Sequence, residues 1–242
     1  MTLPHVTICA PIRDRGWVIP RYLKHIDEMA YPKNRISLLW VVHDCTDATH
    51  DLLMDFGKGY LSREVATLNL GKSPRYYGDG ALRLATERAE VFDVLAYLRN
   101  WLFQRKPATA DYMLSIDSDV LVTHNTLNDL LLLADNNTIV SGIIKNAPNP
   151  GIYNFLMYDK QTDTYTRKNA CRSIPDVPFT VGLAGAVTLY PRQACELGRF
   201  SVCKTGEDEG LARSLVGHNI KYIMQPKVKC THVMSPTCEL RW

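Results

Sequence analysis

A chain of 242 residues, 46% of them hydrophobic, is long enough to bury one good core and is expected to form a single α/β domain of the larger sort. Its formal net charge of +3 is too small to imply nucleic-acid binding by itself and puts up no repulsion against polyphosphate. The seven cysteines (Cys9, Cys45, Cys171, Cys195, Cys203, Cys230, Cys238) are odd in number, scattered and without a C-x-x-C pair, which argues against a zinc ribbon or a disulfide framework and predicts reduced thiols, most of them in the core.

The chain enters a strand-like run at once, without the charged head and long apolar core of a secretory signal. No apolar stretch reaches the ~18 residues that cross a bilayer, so a cytoplasmic chain without a membrane span is expected. Residues His5 to Ile12 read as a first buried strand, followed by the polar turn Arg13-Asp14-Arg15-Gly16. Val18, Tyr22, Leu23, Ile26 and Met29 then recur at helical spacing until Tyr31-Pro32-Lys33-Asn34 breaks the helix. Ile36 to Val42 is a second strand, ending at His43-Asp44-Cys45-Thr46-Asp47, where Thr46 or Asp47 is placed to cap a helix holding Leu52, Leu53 and Phe56.

Glu64 to Leu70 is a short third strand, and the Gly- and Pro-rich stretch from Gly71 to Gly80 is a loop near the site. A long helix follows from about Ala81 to Phe103, with Leu84, Ala85, Val91, Val94, Leu95, Leu98 and Leu102 on its apolar face. It leads into Tyr112-Met113-Leu114-Ser115-Ile116-Asp117-Ser118-Asp119-Val120, a mostly apolar run closed by two carboxylates one residue apart. On an extended backbone these two side chains face the same way, toward the crevice at the carboxyl ends of the strands where α/β sheets bind ligands. Two hard oxygen donors there suit Mg2+ or Mn2+, with phosphate oxygens and water completing the shell.

Leu127 to Ala134 reads as a helix and Thr138 to Ile144 as another buried strand. This alternation predicts a mainly parallel sheet with helices on both faces. Tyr153 to Arg167 reads as a small antiparallel strand pair around a polar turn, and Thr180 to Tyr190 as one strand punctuated by Gly182 and Gly185, which permit close approach. Gly206-Glu207-Asp208-Glu209-Gly210 opens a helix with Leu211, Ala212 and Leu215 inward. Three acids there also suit the helix dipole. The last strand, Lys227 to Val233, carries His232.

In this order the pieces resemble nucleotide-sugar glycosyltransferases of the GT-A fold over most of the chain, from Thr7 to His232. The first half is similar to the fungal mannan polymerase branch through Pro11-Ile12-Arg13-Asp14, Pro20-Arg21-Tyr22, Tyr31-Pro32 with Ile36-Ser37-Leu38, Asp44-Cys45-Thr46-Asp47-Ala48-Thr49, and Leu98-Arg99-Asn100-Trp101-Leu102. The second half resembles family 2 glycosyltransferases through Gly182 to Gly185 and Gly206-Glu207-Asp208. The resemblance implies a single Rossmann-like domain, with residues 1–120 as the nucleotide-binding half and 121–242 as the acceptor and catalytic half.

It further implies a transferase for a UDP- or GDP-sugar, using Mn2+ or Mg2+ held by Asp117, Asp119 and His232. Pro11, Arg13, Asp44, Ser118 and the two aspartates would line the donor site. A carboxylate such as Asp44 can accept the N3-H of uracil or the N1-H and amino group of guanine. Asp208 would be the general base of an inverting, hexosyltransferase-like enzyme, with Glu207 and Glu209 as neighbouring candidates. The mannan polymerase branch places a Thr-Glu-Gly over Asp208-Glu209-Gly210, and its members retain configuration. Without the family, His232 reads as a strand-end histidine satisfied by hydrogen bonds, Arg13 as an ion-pair partner of Asp14, and Glu209 as a partner of Arg213 one turn on.

A sugar-phosphate nucleotidyltransferase shares the α/β pattern but needs a glycine-rich loop where this chain has Ala10-Pro11-Ile12-Arg13-Asp14-Arg15-Gly16. A catalytically silent nucleotide-sugar binding module is the alternative from another class. The acceptor is a hydroxyl of glycan, protein, lipid or nucleic acid. For the last, Lys72, Arg75, Arg83, Arg88, Arg105 and Lys106 offer phosphate contacts that a solvated helix face also explains.

Overall fold

Alternate residues of the first two strands enter opposite cores, as extended backbone requires. Val6, Ile8, Ala10, Ile12, Leu38, Trp40 and Val42 pack in one cluster, while Cys9, Leu39 and Val41 pack in the other. The computed structural model describes residues 3–71, 85–148, 152–167 and 174–242. In chain order it contains β1 (Val6–Ile12), α1 (Ile19–Asp27), β2 (Ile36–His43), α2 (Thr49–Met54), β3 (Ser62–Leu68), α3 (Ala85–Arg105) and β4 (Tyr112–Ile116). Then come β5 (Val120–Leu121), α4 (Thr126–Leu131), β6 (Thr138–Ile143), β7 (Phe155–Asp159), β8 (Thr164–Thr166), β9 (Phe179–Val181), β10 (Leu183–Ala184) and β11 (Val187–Pro191). The remainder holds α5 (Arg192–Leu197), α6 (Glu207–Ser214), β12 (Lys221–Lys229), β13 (Thr231–Ser235) and β14 (Cys238–Leu240).

The central sheet has eight strands in the order β3-β2-β1-β4-β11-β6-β12-β9. β1, β2, β3 and β4 are parallel, as are β6 and β12, whereas β11 runs antiparallel between β4 and β6. Helices cover both faces, as expected. Ile19, Tyr22, Leu23 and Ile26 of α1, Leu53 of α2 and Leu127 and Leu130 of α4 pack in the first cluster. Leu98, Leu102 and Phe103 of α3, Cys195 of α5 and Leu211 of α6 pack in the second. Each fully buried aliphatic side chain contributes about 1.5–3 kcal/mol. The Tyr22 hydroxyl also donates to the Ile116 carbonyl at 3.1 Å, tying α1 to the end of β4 where the candidate site begins.

Two small three-stranded sheets, β10-β7-β8 and β14-β13-β5, stand beside the large one. The hairpin predicted around residues 159–163 is β7 and β8. The single strand predicted for 180–190 is instead three strands in two sheets. At Gly182 the amide donates to the Leu156 carbonyl, and a Cβ would meet the Tyr158 nitrogen at 2.6 Å, so the chain bends there against β7. Ala186, at φ 69°, turns it again before β11. The single strand predicted for 227–233 is instead the end of β12, which begins at Lys221, and the start of β13, which carries His232; Pro226 is accommodated where the β12 to β6 register shifts. The loop expected over 72–80, the first residues of the long helix and Cys171 lie outside the described residues. Of the described cysteines, all are free; Cys9, Cys195 and Cys230 are buried and Cys45, Cys203 and Cys238 are half-buried. No helix among the described residues is long and apolar enough to cross a membrane.

Candidate active site

The parallel strands β3, β2, β1 and β4 end side by side, and the loops leaving them meet. Asp14 and Asp44 adopt positive φ angles of 45° and 46°, a region that aspartate tolerates better than most residues. Asp14 Oδ1 accepts the Thr46 amide at 2.7 Å, and Asp47 Oδ2 accepts the Gly16 amide at 2.8 Å, so the loops after β1 and β2 are knitted together. Asp47 also accepts the Thr49 amide at 3.0 Å, but the N-cap of α2 is Ala48, so neither Thr46 nor Asp47 is the capping residue expected there. Asp44 Oδ1 takes the amides of Leu70 and Gly71 at 3.0 and 3.1 Å, while Oδ2 lies 3.3 Å from His43 Nδ1. Burial opposes its ionisation, but the Gly71, His43 and Leu70 donors outweigh it and hold the carboxyl below its ordinary range. Pro11 is half-buried next to the end of β1, and Arg13 Nε lies 3.9 Å from Asp14 Oδ2.

The Asp-Ser-Asp segment is not the extended strand end that the i, i+2 argument assumed. β4 stops at Ile116, and the Val120 amide bonds the Asp117 carbonyl at 2.9 Å, closing a turn around buried Ser118. The two carboxylates therefore point to different neighbours. Asp117 Oδ1 accepts from Arg99 Nη2 at 2.9 Å, whereas Asp119 faces His232 and Arg15. Among the described residues, Asp14, Cys45 and Asp47 bring three donor atoms within 4.8 Å of one another, and Asp117, Asp119 and His232 do not.

His232 reaches Asp119 because β13 pairs with β5, His232 opposite Val120, while the Val233 amide bonds the Asp119 carbonyl at 2.8 Å. Its Nδ1 is 3.1 Å from the Lys145 carbonyl, which can only accept, so this nitrogen carries the proton. In the neutral ring Nε2 then presents a lone pair to Asp119 Oδ1, 3.8 Å away. That gap is too long for a hydrogen bond and shorter than two metal–ligand bonds of about 2.1 Å laid end to end. The pair fits a divalent cation. Arg15 Nη2 stands 3.4 Å from the other oxygen, Asp119 Oδ2.

A second group of charges surrounds Arg99, which is buried on α3. Its Nε donates to Glu207 Oε1 at 3.1 Å, its Nη1 to Ser115 Oγ at 3.1 Å and its Nη2 to Asp117, with the Phe200 ring 5.9 Å away. Burial works against its charge, but Asp117, Asp208 and Glu207 outweigh that and keep it firmly protonated. The α6 helix opens at Gly206, whose φ of 131° and ψ of −175° are essentially restricted to glycine. Its three acids then separate by role. Glu207 binds Arg99. Glu209 accepts the Thr205 amide and hydroxyl at 3.0 and 2.8 Å and pairs with Arg213 Nε at 2.8 Å, the i, i+4 pairing expected for it.

Among the described residues Asp208 has no such partner. Its Oδ1 is buried without a hydrogen bond to any of them, and its Oδ2 lies where a Cβ on Gly185 would come within 2.2 Å. Burial first, then Glu207 and Asp117, push this carboxyl up to about 8 against the pull of Arg99. The two motifs picked out in the second half, around Gly185 and at Gly206-Glu207-Asp208, are thus brought together. Arg99 and Arg15 were missed as site residues. The signal for Arg99 was an arginine set among Leu95, Leu98 and Leu102 on the apolar stripe of α3.

This architecture is a GT-A fold. The chain superimposes over 95% of its length on 57% of the mannosyltransferase PcManGT from Pyrobaculum calidifontis in complex with GDP-Man and Mn2+, with a TM-score of 0.60 and 19% identity. It superimposes over 95% of its length on 44% of GalNAc-T7 with UDP, GalNAc and Mn2+, with a TM-score of 0.63 and 14% identity. The chain belongs to glycosyltransferase family 25: residues 3–178 match the family's N-terminal domain.

A glycosyltransferase 25 family member of Anopheles gambiae is 27% identical over 136 residues, 53% of this chain and 22% of that protein. The human inactive glycosyltransferase 25 family member 3 is 28% identical over 141 residues, 54% of this chain and 22% of its own length. The mannan polymerase I complex VAN1 subunit of Saccharomyces cerevisiae is 34% identical over 59 residues, 24% of this chain and 11% of the subunit, in line with the resemblance read from the first half. The matched stretch spans about a fifth of the family 25 relatives. Asp117 and Asp119 fall inside the family match, and Gly185, Asp208 and His232 lie beyond its end.

Proposed function

We propose that the chain is a metal-dependent glycosyltransferase module that moves a hexose from a UDP- or GDP-sugar to a hydroxyl acceptor with inversion. The observation that carries this reading is Asp208, a carboxyl with one buried oxygen that has no partner among the described residues, packed against Gly185. Burial makes this carboxyl, pushed up to about 8, a stronger base than an ordinary aspartate once it is deprotonated, so transfer by the free chain should rise as pH approaches that value. In this reading Asp208 removes the proton of the acceptor hydroxyl while that oxygen attacks the anomeric carbon, and the nucleoside diphosphate departs from the opposite side.

The rest of the chain binds and orients. Residues 1–120 form the nucleotide side, with Pro11, Arg13 and Asp44 about the base and Asp117, Ser118 and Asp119 about the diphosphate. Residues 121–242 form the acceptor and catalytic side. Asp119 and His232 would hold Mn2+ or Mg2+, joined by Asp117 after a rotation away from Arg99. The bound cation would offset the negative charge that develops on the leaving diphosphate. Glu207 fixes Arg99, and Arg99 lowers the cost of keeping several carboxylates together. Glu209 closes the start of α6, and its hydrogen bonds to Thr205 and Arg213 support Asp208 rather than Glu209 as the base.

The protein complexes with GDP-Man and with UDP among its structural neighbours support a nucleotide-sugar donor. A screen of UDP- and GDP-sugars for Mn2+-dependent hydrolysis tests the proposal and names the donor without knowledge of the acceptor. Donor binding by calorimetry with neither hydrolysis nor transfer would overturn it in favour of a silent binding module, as in the relative named inactive.

A further inference from the structure

We infer that Arg15 is the resident counter-cation of Asp119 and exchanges that carboxylate for the donor diphosphate when a divalent cation and nucleotide are bound. This rests on the reading of Asp119 as a metal ligand. The Arg15 backbone is fixed on both sides: its amide donates to Thr49 Oγ1 at 2.8 Å, and its carbonyl accepts the amides of Val18 and Ile19, both at 2.9 Å, at the start of α1. Its side chain is held far less well. Nη2 to Asp119 Oδ2 and Nη1 to the Arg13 carbonyl are both 3.4 Å, and Nε is buried with no partner among the described residues.

Charge-assisted bonds run near 2.7–2.9 Å, so this guanidinium has long contacts on two donors and none on a third. The contrast with Arg99, bonded at 2.9–3.1 Å through three nitrogens, separates a structural arginine from one whose acceptors are incomplete. A planar fork with unmet donors suits the oxygens of a diphosphate. The position is consistent with that role, because the same carboxylate presents Oδ1 to His232 and Oδ2 to Arg15. Asp119 and His232 would hold the cation, and its charge would then replace the one that Arg15 supplies to Asp119. The guanidinium is then free to turn to phosphate. Arg15 and the cation therefore compete when no nucleotide is present and act together when it is.

This predicts effects of opposite sign. In calorimetric titration with MnCl2 alone, Arg15→Gln should bind Mn2+ about three- to fivefold more tightly than wild type, the size of a partly exposed ion pair. With Mn2+ saturating, the same variant should bind UDP and GDP about tenfold or more weakly, the loss expected for hydrogen bonds to a charged group. Uridine and guanosine should bind wild type and variant alike. Arg15→Lys, which keeps the charge and loses the fork, should match wild type toward Mn2+ and recover only part of the diphosphate affinity. Melting temperatures confirm that each variant is folded. Unchanged or weaker Mn2+ binding by Arg15→Gln, or unchanged UDP and GDP affinity, overturns the exchange. If Asp119→Asn leaves Mn2+ affinity at the wild-type level, the metal reading beneath it fails. If Asp119→Asn abolishes Mn2+ binding and Arg15→Gln leaves it unchanged, the exchange alone fails.

Discussion

Asparagine at position 208 would remove a charge that the folded chain resists holding. The carboxyl is pushed from an ordinary 3.8 up to about 8 by burial first and then by Glu207 and Asp117, with Arg99 pulling the other way. Because the folded value lies above the unfolded one, the folded state keeps the proton between about pH 4 and pH 8 while the unfolded chain gives it up. Wild-type stability from this group is therefore full below that window, falls as pH rises through it and levels off above. A rise from 3.8 to about 8 sets a ceiling near 5–6 kcal/mol. Solvent at this partly exposed residue and relaxation of its neighbours reduce the expected cost to ~1–3 kcal/mol.

Asp208→Asn keeps the shape and carries no charge, so it should match wild type near about pH 4 and exceed it by that amount near about pH 9. For a chain of this length the gain is roughly 3–10 °C in Tm, read by scanning calorimetry across the pH range. Parallel curves, or a variant less stable at alkaline pH, would refute the charge argument. The same variant should keep donor affinity and lose transfer by about 10²-fold or more. If Glu209→Gln is the inactive variant instead, the base is wrongly assigned, and retention of configuration is expected by NMR.

Arg99→Met should cost ~3–5 kcal/mol in urea unfolding, because Asp117, Glu207 and Asp208 would share a buried region without their guanidinium; a loss under ~1 kcal/mol would contradict this. Gly185→Ala places a Cβ 2.2 Å from Asp208 Oδ2 and should depress transfer while calorimetry still finds wild-type donor affinity; equal loss of both would mean general misfolding. Asp119→Ala and His232→Ala should weaken Mn2+-dependent donor binding with circular dichroism unchanged. An unfolded His232→Ala with no specific loss of metal affinity would return the histidine to a purely structural role.

The first half of the fold was legible because its signals are local. Val6 to Ile12 and Ile36 to His43 are apolar on both faces, as strands inside a parallel sheet must be, and Val18, Tyr22, Leu23 and Ile26 lie on one helical face that is buried. The second half depends on contacts distant in sequence. Nothing local distinguishes residues 180–190 as three strands, since the bends come from Gly182 meeting β7 and Ala186 turning before β11. Likewise, a run of three acids cannot show which of Glu207, Asp208 and Glu209 meets Arg99, which meets Arg213 and which is left alone. The Asp-Ser-Asp motif was visible by composition, but its two side chains diverge because a turn, not a strand, carries them.

The reversed strand β11 also sets an order of assembly. β4 is complete at Ile116, yet the strand that covers its far edge begins only at Val187, and β6 waits for the same partner. A nascent chain that has delivered β1 to β4 can pair them, but it carries a bare apolar edge on β4 until some seventy further residues emerge. Such an edge is a template for pairing with another chain. A fragment cut at residue 178, where the family match ends, would keep that edge permanently open and is expected to aggregate. β11 also follows directly on the segment that sets Gly185 against Asp208, so the stretch of chain that closes the sheet carries the glycine on which Asp208 packs.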